Sequence, residues 1–229
     1  MSFSEWLRQL DLTWLLETAV TALAAVLCIT FHETCHGLAA WALGDTTAKK
    51  QGRLSLNPLR HIDWFGLLML AVAKFGWAKP VPIDARNFRH PKRDIALTAM
   101  AGPLANVLLA LFSLTLCDLC IVLFYDSTSV FISYLILFFY YTAVLSVGLA
   151  VFNLFPIPPL DGSKILFSLL PARVYGKILR YERYGFLVLI VVLYTGILDT
   201  PLNFLRDGLL ELLSYPASLP ANLLLRLQA

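Results

Sequence analysis

The sequence predicts an all-α polytopic membrane protein. About four transmembrane helices are expected, with a re-entrant, partly β segment between the first two. Three observations lead there. Of 229 residues, 59% are hydrophobic and only 14% charged, where soluble domains carry about 25% charged residues. Four apolar stretches have, or approach, the roughly 20 residues needed to cross a bilayer. The basic residues are bunched rather than spread: of 18 Lys and Arg, ten lie between Lys49 and Arg93 and five between Lys164 and Arg183.

The first stretch, 12–43, is apolar enough to cross a bilayer, yet it carries His32, Glu33 and His36 in its inner third. The N-terminus has no basic cluster, so 12–43 reads as a retained helix and not as a cleavable signal. The segment 62–78 is apolar but too short to span. Only ten residues, Trp64 to Ala73, separate Asp63 from Lys74, about half the hydrocarbon thickness as a helix. If it crossed, the basic stretches on its two sides would face opposite compartments, against the positive-inside rule. A re-entrant loop keeps both inside, and Gly66, Gly76 and Lys79-Pro80-Val81-Pro82 suit one.

The second and third spans are expected at 95–124 and 130–155, joined by a connection without basic residues. A fourth, 184–198, is short but carries no charge after Gly185. The tail from Pro201 shows a helical apolar pattern that Pro216 and Pro220 are expected to break. The topology is then N-terminus outside, with both basic regions cytoplasmic. No internal repeat of the kind that builds transporters is present. One membrane-embedded domain is expected over 1–229, with a core at 12–165 and an accessory helix and tail at 184–229.

Ionisable residues inside a membrane segment are costly and mark function. On a helix, His32 and His36 share one face. Two imidazoles so placed can hold one Zn²⁺, with Glu33 beside them as a base. A catalytic zinc has three protein ligands and an open position. Asp161, in Asn153-Leu-Phe-Pro-Ile-Pro-Pro-Leu-Asp161-Gly162, is the candidate third ligand. It follows a span whose end faces the same side as His32–His36, and the prolines let the chain bend back.

These stretches, with Gly52–Asp63, Gly76–Pro82 and Ala101-Gly102-Pro103-Leu104-Ala105-Asn106, resemble in order the site-2 protease family of intramembrane zinc metalloproteases. The likeness covers about 31–164 and is closest to the compact bacterial type without PDZ or CBS domain. The resemblance implies one Zn²⁺ held by His32, His36 and Asp161, and Glu33 as the catalytic base. It further implies that Asn153 lies near the site, holding substrate backbone or the oxyanion, and that Gly102 and Asn106 line it. The expected reaction is hydrolysis of a peptide bond in or beside a transmembrane segment of a membrane-protein substrate, in regulated intramembrane proteolysis. The expected place is the bacterial cytoplasmic membrane, with the site 10–18 Å below the inner surface if the helix is about upright. The bilayer and the substrate helix are the partners; nothing points to nucleic acid.

Cys35 departs from the small residue expected there, but helical phase turns it away from the metal. His61 reads as a local structural group near Asp63, and Cys117 and Cys120 as buried apolar residues. Two alternatives remain, a metal-binding transporter and a non-catalytic relative that binds membrane proteins. The absence of repeats counts against the first and the intact Glu33 against the second.

Overall fold

The computed structural model describes residues 12–66, 78–171 and 184–228. Among these, all regular structure is helical. Three helices are long and apolar enough to cross a membrane: α1 (Leu12–Ala42), α3 (Pro91–Leu123) and α4 (Val130–Asn153). The short helix α2 (Thr47–Lys50) follows α1, and α5 (Asp161–Ser168) follows α4. Two further helices, α6 (Gly185–Tyr194) and α7 (Asp199–Gln228), end the chain.

The bundle is packed with small residues and faces outward with large ones. Ala24, Ala40, Ala99, Ala110, Ala143 and Ala150 are buried, while Leu23, Leu104, Leu108, Phe112 and Phe131 are exposed. Lipid is as apolar as Leu, so helices in a bilayer gain little by hiding large side chains; they gain by bringing backbones close. A central seam of Ala110, Ala143, Val147, Val151 and Leu213 joins α3, α4 and α7.

α1 and α3 run antiparallel, and Thr98 near the start of α3 meets His36 near the end of α1. α4 lies against α1 through a small polar knot. Ser146 Oγ donates to Cys28 Sγ at 3.1 Å, and the Cys28 thiol donates to the Thr142 carbonyl at 3.4 Å. All three are buried.

Three expectations are corrected. No strand occurs among the described residues, so the β part of the segment between the first two spans is not supported. Its flanks are irregular chain with 3₁₀ turns at Pro58–Arg60 and Ala85–Asn87, and residues 67–77 of the expected re-entrant piece lie outside the described residues. The stretch 184–198 is not one straight span: α6 has ten residues, and α7 leaves it at 87°. Among the described residues there are four candidate spans if the bent pair counts as one crossing, otherwise three. Pro216 and Pro220 do not break α7, which runs through both. They sit four apart on its exposed side, while Leu213, Ala217 and Ala221 face inward. Each proline removes one backbone donor, and the packed face keeps the helix continuous.

Candidate metal centre

His32 and His36 project from α1 one turn apart, with their rings edge to face at 4.5 Å between centroids. α4 ends at Asn153, and the proline-rich turn carries the chain back so that α5 opens with Asp161 beside them. Gly162 makes this approach possible, since a Cβ there would overlap the backbone of Leu154 and Phe155.

Three ligand-type atoms converge. Asp161 Oδ2 is 3.2 Å from His32 Nε2 and 3.0 Å from His36 Nε2, and the two nitrogens are 3.0 Å apart. All three side chains are buried. Four ligands at zinc's bond lengths stand about 3.3 Å from one another in a tetrahedron, so this triangle has the right size for one zinc ion. The protonation pattern agrees. His36 Nδ1–H donates to the Thr98 carbonyl at 2.7 Å, which leaves a lone pair on the Nε2 of the neutral ring. Lone pairs and a carboxylate aimed at one point are mutually repulsive without a cation between them. The residues therefore fit a bound metal, and they form the one such group of three or more among the described residues.

Glu33 lies beside the ligands and lines a cavity of about 410 Å³ with His32, His36, Asn153, Asp161 and Lys164. One carboxylate oxygen accepts the Val81 amide at 2.9 Å. Val81 belongs to a piece of chain laid across the site and held by residues that the sequence reading passed over. Arg53, buried, donates from Nη2 to the carbonyls of Lys79 at 2.7 Å and Pro80 at 3.2 Å. Gly37 leaves room beneath, because a Cβ there would overlap Leu54 and crowd Val81. Asp45, fully buried just past α1, accepts from the amides of Thr47 at 2.9 Å and Asp84 at 2.7 Å, and from Asn87 Nδ2 at 2.8 Å. Burial works to raise the Asp45 pKa, and the hydrogen bonds from Thr47, the Asp84 amide and Asn87 outweigh it and hold the carboxyl below its ordinary range. Asp84 is taken down to about 2 by hydrogen bonds from the Arg86 side chain and amide. An Asp after a helix-ending Gly reads in sequence as a solvated residue, so no local signal marks Asp45.

The remaining predicted positions separate. Asn153 lines the cavity, with its Nδ2 donating to the Leu149 carbonyl at 2.9 Å. Gly102 packs against the ligands themselves: a Cβ there would overlap His36 Nε2 and stand 2.6 Å from His32 Cε1. Asn106 is fully buried one turn further along α3, away from the cavity wall. His61 lies apart from the three ligands, its Nε2–H donating to the Ser55 carbonyl at 2.7 Å. Lys164 pairs with the second oxygen of Asp161 at 3.3 Å.

A family model described as peptidase family M50 matches residues 119–196, a stretch that includes Asn153 and Asp161. A Bacillus subtilis protein, "Putative zinc metalloprotease YwhC", is 40% identical over 193 residues, covering 82% of this chain and 88% of the relative.

The chain belongs to peptidase family M50.

This is the family of the site-2 proteases, as the ordered motifs imply, and membership makes the M50 chain a peptidase. Its apolar helices make it a multi-pass membrane protein. "Putative zinc metalloprotease Rip2" of Mycolicibacterium smegmatis is 31% identical over 173 residues, 73% of this chain and 64% of the relative. "Putative zinc metalloprotease SACOL1281" of Staphylococcus aureus is 39% identical over 94 residues, 41% of this chain and 22% of the relative. No solved structure matches the chain.

Proposed function

We propose that this M50 peptidase is an intramembrane zinc endopeptidase. It cuts peptide bonds in or next to transmembrane segments of membrane proteins. The observation that carries the reading is the buried triangle of His32 Nε2, His36 Nε2 and Asp161 Oδ2 at 3.0–3.2 Å, with Glu33 on the same cavity wall. When bound, zinc supplies Lewis acidity that makes water a nucleophile near neutral pH. Glu33 takes the proton from that water and delivers it to the leaving nitrogen. Asn153, at the rim of the cavity, is placed to donate to substrate backbone or to the carbonyl oxygen that gains charge. The regulated role, the membrane-spanning substrate and a site facing the cytoplasmic side of the bacterial cytoplasmic membrane rest on the family likeness and on the clustered basic residues.

A substrate helix hides its amides in its own hydrogen bonds, so it must unwind before Glu33 can act. The chain at Val81 lies beside Glu33, its amide bonded to that carboxylate, which brings backbone next to the place where an unwound substrate would pair strand-like with it.

The test is purified protein in detergent with a labelled single-span substrate. Cleavage is expected and is abolished by a zinc chelator. Glu33→Gln is expected to cut at least about 10²-fold more slowly while keeping its zinc. Normal cleavage by Glu33→Gln sinks the mechanism. Metal flux in liposomes without cleavage would instead favour a transporter.

A further inference from the structure

Three side chains on α1 and α3 around the ligand triangle, those of His32, Thr98 and Asn106, hold buried polar atoms without a hydrogen-bond partner. Asn106 is 0% exposed, and neither its Oδ1 nor its Nδ2 is bonded. His32 Nδ1 is likewise buried and unpaired. His36 differs, since its Nδ1 is anchored on Thr98. The two metal-binding imidazoles are thus held unequally, although both must present Nε2 to the same ion. An unpaired buried amide costs kcal/mol amounts, so two such groups on facing helices call for a shared partner.

Helix geometry brings them together. Thr98, Gly102 and Asn106 are four apart on α3 and share one face. The Thr98 carbonyl meets His36. Gly102 lies against both rings, and the atom of His32 nearest to it is Cε1, the carbon that joins Nδ1 to Nε2. α1 and α3 are antiparallel, so one step from Gly102 towards the C-terminus of α3 moves to the His32 side of the pair. Helical side chains lean back towards the N-terminus. The Asn106 carboxamide therefore covers the surface that Gly102 leaves bare, next to His32.

We propose that Asn106 is a positioning residue for His32. Its carboxamide oxygen takes the His32 Nδ1–H through one buried water, which holds the ring in the tautomer whose Nε2 lone pair faces Asp161 and His36. Polar surroundings with two or more partners are what a buried water requires. The link gives a specific part to Asn106, which the family resemblance implies only as a residue lining the site. It rests on the zinc reading above.

The experiment uses the full chain in detergent and measures zinc affinity by chelator competition, with folding checked by circular dichroism and thermal unfolding. Asn106→Leu is expected to bind zinc about 10–100-fold more weakly, the usual effect of losing the group that orients a metal-binding imidazole. Asn106→Asp keeps an acceptor and is expected to retain most of the affinity. Ser113→Ala, a buried polar deletion further along α3, is expected to leave it unchanged. A second readout stands apart from the variants: ¹⁵N spectra of the zinc-loaded wild type should show His32 protonated at Nδ1. A wild-type His32 without a proton on Nδ1 overturns the proposal, as does a folded Asn106→Leu protein with wild-type zinc affinity. A wild type that binds no zinc breaks the zinc reading itself, so the two failures are told apart.

Discussion

The metal centre, on α1, α3 and α5, and the apolar seam, on α3, α4 and α7, are built in opposite ways. At the centre, His32, His36, Thr98, Asn106 and Asp161 are buried polar residues, each in a position that few side chains can fill. In the seam, Ala110, Ala143, Val147, Val151 and Leu213 are buried and apolar throughout. Lipid removes the hydrophobic drive from the seam and leaves dispersion, which is spread over many weak contacts. Lipid raises the stakes at the centre, because an unpaired polar group there has no water to fall back on. The seam should yield gradually to substitution, and the centre abruptly.

The largest effect should come from the centre. Asp161→Ala leaves two imidazoles of the three proposed zinc ligands, and the protein is expected to lose zinc on dialysis while its helical circular dichroism persists. Retention of stoichiometric zinc would remove Asp161 from the ligand set. Next comes Gly102→Val, which should reduce zinc affinity and cleavage together, because its side chain would occupy the space of the His32 and His36 rings. Unchanged zinc binding would mean that α3 shifts to accommodate it and that the contact is not restrictive.

Val147→Ala probes the seam. It should lower stability in detergent by about 1–2 kcal/mol, near the lower end for deleting buried methyl groups, with zinc affinity unaltered. A loss of zinc here would show that seam and centre are mechanically coupled.

The smallest effect concerns the loop that Asp45 and Asp84 tie down. Both carboxyls have folded pKa values below the ordinary 3.8, Asp84 at about 2. A depressed folded pKa stabilises above the unfolded value and loses that contribution as pH falls through the folded one. Amide exchange at Thr47 and Asp84, corrected for its intrinsic pH dependence, should therefore show protection above pH 4 that fades towards pH 2. Protection that is flat over this window would mean that the loop is held by Arg53 and not by its carboxylates.

Several parts of this protein are legible from residue order alone. A bilayer punishes charge and rewards about 20 apolar residues, so α1, α3 and α4 stand out by composition, and the polar groups inside 12–43 stand out as chemistry. The four-residue spacing of His32 and His36 sets their shared face, because helical period is local. Only the tertiary structure decided the rest. It brought Asp161 to within 3.2 Å of both histidines, a closure that depends on a turn between helices and on the bare surface of Gly162. It bent α6 against α7 and carried α7 through two prolines, since packing on α3 and α4 outweighs local propensity. It gave Asp45, Arg53 and Thr98 their places around the site, because a hydrogen bond between residues dozens of positions apart leaves no period in the sequence. Asn106 shows the division most clearly: the motif marks the residue, and only the packing of α3 leaves it fully buried with both polar atoms unpartnered.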